Sequence, residues 1–127
     1  MTKDKKYSQL PATAKAAIVS QALLEHKCRD ISAFSLPPGD PLAEVVILCT
    51  ASSSRHARSL ADAVSETCRE NKFEHLHTEG YQEGEWILVD LNDIILHIFL
   101  ESARTRYKLE ELLNGATPIT PEAPAKS

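Results

Sequence analysis

The side chains best suited to chemistry lie close together in residues 83–100, EGEWILVDLNDIILHIFL. Asp90 and Asp93 stand on either side of a short gap, and His97 follows soon after them. Carboxylates on adjacent strands can hold two divalent cations, as a nucleotidyl- or phosphoryl-transfer enzyme requires. The pattern therefore raises an enzyme as one hypothesis, with Asp90 and Asp93 as its candidate metal ligands.

Two further features of such an enzyme can be compared with the sequence. Residues 50–53 (TASS) precede a predicted helix and could expose backbone N–H groups to a phosphate. However, the Asp-x-Asp pair that would place two carboxylates on one strand face is missing. Acids are also common in turns, because their side chains accept hydrogen bonds from local backbone N–H groups. Turn chemistry is therefore preferred for Asp90 and Asp93, ahead of partner contact and of metal binding.

The cysteines and the remaining histidines form no recognisable metal or catalytic pattern. Cys28, Cys49 and Cys68 are odd in number, widely spaced and set in apolar patterns, which favours buried free thiols in a reducing compartment. His75 and His77 share one strand face but lack the further ligands that zinc requires. We therefore expect no metal, no cofactor and a cytoplasmic location.

Trp86 and His97 indicate binding rather than catalysis. Trp86 begins a predicted strand directly after a polar run, where its ring can stay partly exposed and act as a binding hot spot. A plain core position is the alternative for Trp86. His97 lies among Ile and Phe residues, which favours a half-buried, hydrogen-bonded ring over an interface group.

A predicted hairpin carries these side chains. Residues 86–89 and 94–100 are apolar runs rich in Ile, Val, Leu and aromatics, and the polar residues between them predict a tight turn. Residues 42–50 form a nearly continuous aliphatic run, which predicts a central strand buried on both faces. Apolar residues then recur at helical spacing, so an amphipathic helix is expected that Ser52 or Ser53 can cap and that ends near Asn71.

The complete order of predicted elements is α-β-β-α-β-β-β-α. A first helix over 8–29, strands over 31–36 and 73–78, and a last helix over 102–113 complete the set. The order predicts a single α/β domain, with a mixed sheet of about five strands flanked by helices. Its expected boundaries are a flexible N-terminus over 1–7, the domain over 8–115, and a disordered tail containing Pro and Ala over 116–127.

Composition narrows the class of partner. The chain has 127 residues, of which 43% are hydrophobic and 25% charged, as in an ordinary globular protein. A net charge of -4 argues against sequence-independent binding to free nucleic acid or to an anionic membrane. No apolar run reaches the roughly 20 residues that span a bilayer. A protein partner is therefore expected.

Taken in order, several motifs resemble the Iojap-related ribosomal silencing factors, called RsfS in bacteria. The resemblance covers roughly residues 10–113 and is most specific where Glu79-Gly80 is followed, after five residues, by 86–99 (WILVDLNDIILHIF). Residues 30–31, 46–50 and 52–56 match the family's first strand, central strand and helix opening. The closing helix is matched by Arg104, Tyr107, Leu109, Glu110 and Leu112.

The resemblance implies a nucleotidyltransferase-like fold in a family that is not known for catalysis. It implies binding to the large ribosomal subunit on its intersubunit face, through the large-subunit ribosomal protein numbered fourteen. Joining with the small subunit is then hindered, and translation falls when nutrients are scarce. The expected surface has Trp86 as its apolar anchor and acids that pair with basic side chains; its members are Trp86, Asp90, Leu91, Asp93 and His97. A secondary contact with ribosomal RNA or protein is expected at Arg55, His56 and Arg58.

Some positions depart from the family's pattern. Glu44-Val45 stands where an Asp-aromatic pair is usual, Ala51 replaces a typical Gly, and Leu113 replaces a common aromatic. The proline-rich loop over 37–41 is also unusual. These departures bear on local contacts rather than on the family assignment.

Two other functions stay open at this point. One is a nucleotidyl- or phosphoryl-transfer enzyme on the same scaffold, and the other is a general protein-interaction domain without a ribosomal role. A homodimer through an exposed sheet edge or the hairpin is a further expectation, and it would compete with the proposed partner surface.

Overall fold

The computed structural model describes residues 7–107 and 116–119, and within these ranges the chain forms three helices and six strands. The helices are α1 (Ala12–Glu25), α2 (Ser54–Asn71) and α3 (Glu101–Tyr107). The strands are β1 (Arg29–Ser35), β2 (Val45–Ala51), β3 (His77–Glu79), β4 (Trp86–Asp90), β5 (Ile94–Leu100) and β6 (Thr117–Ile119).

All six strands belong to one mixed sheet with the order β3-β4-β5-β2-β1-β6. β2 and β5 run parallel, in register from Val45 opposite Ile94 to Ala51 opposite Leu100. The other neighbouring strands pair antiparallel. Every residue of β2 is buried, because strands flank both of its edges and side chains cover both of its faces. The predicted central strand and the predicted mixed sheet are thus confirmed.

Helices α1 and α2 cover one face of the sheet and enclose the larger core. The predicted apolar stripe of α2 is confirmed, since its buried residues are Ala57, Leu60, Ala61, Val64 and Cys68. These side chains meet inward residues of the strands such as Ile47, Ile87 and Leu96, each 0% exposed. Full burial of one such aliphatic side chain contributes about 2 kcal/mol. The contact area of this helix layer therefore supplies much of the domain's stability.

Local signals set the bounds of α2. Ser53 is its N-cap, and the Ser53 Oγ accepts a hydrogen bond from the backbone N–H of His56 at 3.0 Å. The helix ends at Asn71. Its C-cap is Lys72, whose φ of 60° is left-handed and whose N–H donates to the carbonyl of Arg69. Capping by Ser53 agrees with the sequence prediction.

The structure differs from the prediction at β6, the short strand at the edge of the sheet next to β1. Thr117–Ile119 was expected in a disordered tail, but it forms β6 and pairs antiparallel with β1, with Ala33 opposite Ile119. The outer edge of β1 would otherwise leave backbone N–H and C=O groups unpaired, and Pro118 is tolerated because β6 lies at the edge of the sheet. The sheet therefore has six described strands instead of about five.

Other predicted bounds shift by a few residues. β3 covers His77–Glu79 rather than 73–78, because Phe73 is a core residue of the α1–α2 layer. The last helix begins at Glu101. The expectations for residues 1–6, 108–115 and 120–127 fall outside the described residues. No helix in the described ranges is both long and apolar enough to cross a membrane.

Candidate partner-binding surface

The sheet face opposite α1 and α2 is only partly covered. Strand alternation turns Ile87 and Val89 into the helix-side core, and it turns Trp86 and Leu88 to the other face. A smaller cluster lies there, and its buried members are Ala43, Val46, Leu48, Ile95, Phe99 and Ala103. Partly exposed residues packed against it are Phe34, Leu36, Trp86 and Leu88. We call this set of partly exposed residues, together with His97, the Trp86 face.

Trp86 is held in a fixed orientation on this face. It stands opposite Phe99 on β5, and the two ring centroids are 5.2 Å apart. Its Nε1–H donates to Nδ1 of His97 at 2.9 Å. β3 pairs with β4 only as far as Leu88, so the start of β4 extends past the end of β3. Trp86 is therefore partly exposed and rigid, in agreement with its predicted position at the start of a strand.

The loop before Trp86 explains the spacing of the Glu79-Gly80 motif. Gly80 has a φ of +79°, and a Cβ at this position would lie 2.2 Å from the carbonyl oxygen of Trp86. The N–H of Gly84 donates to the carbonyl of Gly80 at 3.0 Å, which closes the loop. Only glycine allows this approach, so the motif fixes where the tryptophan begins its strand.

His97 is a neutral acceptor in this surface. Its Nδ1 accepts from Trp86, which places the ring proton on Nε2, and its ring stacks on Phe99 with centroids 5.8 Å apart. Burial lowers the pKa of His97 to about 4, because the charged ring would lose its hydration. The half-buried, hydrogen-bonded ring favoured by the sequence is what the structure shows.

Asp90 lies at the far end of the same strand face. Its Oδ1 accepts from the backbone N–H of Asn92 at 2.8 Å, and Asn92 has a φ of 78° that asparagine tolerates. Its Oδ2 lies 3.7 Å from Nδ1 of His77, and 20% of its side chain is exposed. Asp90 is therefore a turn residue that also contributes negative charge to the rim of the surface.

Of two further residues expected on the surface, Leu91 is buried and Asp93 is partly exposed. Leu91 is 2% exposed and belongs to the helix-side core. Asp93 forms an ion pair with Lys15 of α1, with Oδ2 and Nζ 3.0 Å apart, and the side chains are 20% and 10% exposed. Its carbonyl accepts from the N–H groups of Glu44 and Val45. The surface placement of Leu91 is thus corrected. Asp93 anchors the hairpin turn to α1 and at the same time lines a pocket next to Asp90.

Arg55, His56 and Arg58 lie away from the Trp86 face, at the start of α2. His56 is structural, because Nδ1 accepts from the N–H of Ser52 at 2.9 Å while Nε2–H donates to the carbonyl of His26 at 2.8 Å. Arg58 donates to the carbonyl of Gln82 at 2.9 Å. Arg55 is exposed. These three residues therefore do not share a surface with Trp86, and Arg55 is the member best placed to meet a partner.

The structure also adds residues that sequence reasoning missed. A pocket of about 320 Å³ next to Asp90 is lined by Asp40 and Glu44, and by Leu42 and Leu76, which are 56% and 50% exposed. The alternation of β4 could have indicated Leu88, since it shares a strand face with Trp86. No local signal marks Leu42 or Leu76, because distant segments form the pocket.

The described residues bring together no set of three carboxylate, imidazole or thiol side chains arranged to hold a metal ion. Cys28 and Cys49 are both buried, and a hydrogen bond joins their side chains. This bond and burial raise the pKa of the Cys49 thiol well above its usual value. The clearest functional feature of the described residues is therefore the Trp86 face.

Comparisons with known proteins identify the family. The model of the family "Ribosomal silencing factor during starvation" matches residues 9–127. A ribosomal silencing factor RsfS from Chromobacterium violaceum is 32% identical over 98 residues, covering 77% of this chain and 80% of that protein. An X-ray crystal structure of a C. violaceum protein superposes with a TM-score of 0.79 and 28% identity, covering 92% and 98% of the two chains.

A more distant relative comes from an organelle. The mouse protein "Mitochondrial assembly of ribosomal large subunit protein 1" is 24% identical over 95 residues, which are 71% of this chain and 41% of that protein. The family model covers most of the chain, and the predicted resemblance is confirmed by it and by the bacterial relative. The chain belongs to the ribosomal silencing factor (RsfS) family.

Proposed function

We propose that this protein binds the large ribosomal subunit on its intersubunit face and thereby hinders joining with the small subunit. Its contact there is the large-subunit ribosomal protein numbered fourteen, and its effect is to lower translation when nutrients are scarce. The Trp86 face is the observation that carries the proposal: a family member presents a rigid, partly exposed tryptophan in an incompletely covered apolar sheet face.

The arrangement of Trp86 favours tight binding. The hydrogen bond to His97 and the contact with Phe99 hold the indole ring before any partner arrives. A partner therefore does not have to immobilise this side chain, which reduces the entropy lost on binding. Leu88 extends the apolar area beside the ring, and Phe34 lies at the far end of the same sheet face, in the row of Asp90. A tryptophan surrounded by smaller apolar contacts is the usual composition of a binding hot spot.

Acidic residues supply charge complementarity at one end of this face. Asp90, Asp40 and Glu44 line the 320 Å³ pocket, and the exposed side chains of Leu42 and Leu76 flank it. A basic side chain of the partner could place its charge near the carboxylates and its alkyl stem against the leucines. Asp93 also lines this pocket, and the acidic lining suits a basic ribosomal protein.

The proposed action is steric. A protein seated on the intersubunit face blocks the second subunit by its volume, so it needs no catalytic group, metal or cofactor. It acts in the cytoplasm in this proposal. A second copy of the chain bound to the same face would compete with the ribosome, so dimerisation would reduce silencing.

Sedimentation of the purified protein with separated ribosomal subunits tests the proposal. We expect migration with large subunits, and we expect Trp86→Ala to lose it because the anchor is removed. Leu88→Thr keeps a good strand residue while removing apolar contact, so it guards against a folding defect in Trp86→Ala. Leu24→Ala is the control, since Leu24 is a 36% exposed residue of α1 on the other side of the sheet.

Three results would contradict the proposal. The wild-type protein could fail to migrate with large subunits, or both face variants could bind as well as the control. Magnesium-dependent turnover of a nucleotide by the purified protein would instead support the transferase hypothesis.

A further inference from the structure

A cleft of about 650 Å³ opens at the junction of α1, β1 and α2. All nine side chains that line it are polar or charged. Lys27, Arg29 and Arg55 supply three cations from three different segments, and all three are exposed. Glu25 is the acidic member of the lining, and its carboxylate accepts a hydrogen bond from Gln21. The cleft is therefore a basic concavity on a protein whose net charge is -4.

The cleft has a preformed wall. His56 links the two sides of the cleft, because its ring bonds the N–H of Ser52 on one side and the carbonyl of His26 on the other. Ser59 donates its hydroxyl to the carbonyl of His56. The connections after α1 and after β2 are thus fixed relative to each other before any ligand binds.

Sheet register connects one residue of this cleft, Arg29, to the proposed partner surface. Trp86 stands opposite Phe99, Phe99 opposite Thr50, and Thr50 opposite Arg29. Arg29 and Trp86 therefore lie in one row across four neighbouring strands, about 14 Å apart at the usual strand spacing. A partner seated on Trp86 reaches Arg29, at the mouth of the cleft, if it extends this distance along the row.

The linings of the pocket and of the cleft are opposite in charge, with carboxylates in the pocket and mainly cations in the cleft. The pocket with Asp40, Glu44 and Asp90 lies near the row of Ile95, four residues along β5 from the row of Phe99. The acidic and basic ends are thus separated by about 13 Å along the strand. A surface that contacts only water gives no reason for carboxylates and cations to be separated in this way. A partner that presents basic protein at the pocket and phosphate at the cleft would match them.

We propose that the cleft binds the phosphodiester backbone of ribosomal RNA next to the protein partner. This inference rests on the proposed function, because the large subunit is what presents RNA there. RNA fits better than an acidic protein surface, since a protein interface normally has an apolar core and no large exposed hydrophobic residue lines the cleft. Arg, Lys and Ser side chains are the usual donors to phosphate oxygens.

Each cation has a defined role in this contact. Lys27 in the α1–β1 connection and Arg55 in the first turn of α2 both line the cleft and neutralise phosphate charge. Arg29 lies 3.6 Å from the carboxylate of Glu101, so its side chain is held near the row that leads to Trp86. The hydroxyl of Ser53 can donate to a phosphate oxygen, because its Oγ accepts from the N–H of His56 and keeps its own proton for another acceptor. RNA that is not held beside a protein partner would be bound weakly, because the whole protein is acidic.

Salt dependence of binding to isolated large subunits tests the inference. The variant Lys27→Gln/Arg55→Gln removes two cleft charges, and Arg69→Gln/Lys72→Gln removes two exposed charges elsewhere on α2 and its cap. Each lost phosphate contact should reduce the slope of log affinity against log salt by about 0.7–0.9. We therefore expect the cleft variant to have a shallower slope and an affinity reduced about tenfold or more near 100 mM salt, with the control unchanged.

A crosslink distinguishes RNA from protein as the occupant. A photoreactive group attached to the cysteine of Ser59→Cys should form adducts with ribosomal RNA in the assembled complex. Adducts with ribosomal protein only, no adduct, or an unchanged salt slope in the cleft variant would each overturn the inference. Failure of the proposed function looks different, because the wild type and the Arg69→Gln/Lys72→Gln control would then also fail to bind large subunits.

Discussion

The buried imidazole of His97 should make the protein less stable in mild acid. Burial lowers its pKa from 6.5 to about 4, and its cross-strand neighbours Leu48 and Leu88 are apolar. Protonation would also turn Nδ1 into a donor that faces the indole N–H of Trp86. Protonation of His97 is therefore less favourable in the folded state than in the unfolded chain.

The sign and size of this effect follow from the two pKa values. Above pH 6.5 both states are neutral at this residue, and the stabilisation is complete. Between pH 6.5 and about 4 the unfolded state binds the proton and the folded state does not, so stability falls as the pH falls. A change of one in pKa corresponds to about 1.4 kcal/mol, so the whole window is worth about 3 kcal/mol.

Urea unfolding followed by the fluorescence of Trp86, the single tryptophan, measures this loss at a series of pH values. His97→Asn is the matched variant, because its Oδ1 can replace Nδ1 as the acceptor and it does not titrate. We expect the wild type to lose about 2–3 kcal/mol more than this variant between neutral pH and about pH 4.5. Equal losses in the two proteins would refute the reasoning.

Two further perturbations test other parts of the structure. Removing one partner of the largely buried Lys15–Asp93 pair by Asp93→Ala should lower the free energy of unfolding by about 3 kcal/mol, and Lys15→Met/Asp93→Leu should recover most of it. The control is Glu66→Ala at the exposed Arg69–Glu66 pair, where a loss of under about 1 kcal/mol is expected by urea unfolding; equal losses would contradict burial as the cause. Gly80→Ala should destabilise the protein by more than about 2 kcal/mol, because its Cβ would meet the carbonyl of Trp86. Gly39→Ala also has a positive φ but meets no atom within 4 Å, so its thermal midpoint should fall less, and an equal fall would show that the contact is unimportant.

Sequence patterns predicted those parts of the fold whose signals are local. The bounds of β5 were correct at Ile94–Leu100, because an uninterrupted apolar run ends in charged residues at both sides. The central position of β2 followed from its lack of polar alternation. The cap at Ser53 and the buried stripe of α2 likewise depend only on neighbouring residues.

Features formed by segments that are distant in the sequence were not predicted. Lys15 and Asp93 are 78 positions apart, and nothing in the sequence next to either residue indicates that the two form an ion pair. Leu91 was expected at the surface, yet it is 2% exposed and belongs to the helix-side core. β6 forms by pairing with the open edge of β1, and its own residues show no hydrophobic periodicity that would predict a strand. For the candidate surface, Trp86 and Asp90 were identifiable, whereas Leu42 and Leu76 required the fold.

The parallel pairing of β2 and β5 has a consequence for the growing polypeptide on a translating ribosome. Val45 and its partner Ile94 are about 50 residues apart, so synthesis at about 5–20 residues per second delays their pairing by about 3–10 s. During that interval β1 can cover one edge of β2, while the other edge of VVILCTA has no strand to meet. This segment is the part of the nascent chain most exposed to aggregation and most in need of a chaperone. Once the β4–β5 hairpin has formed, β5 pairs with β2 and covers this edge, so a chaperone is no longer needed there.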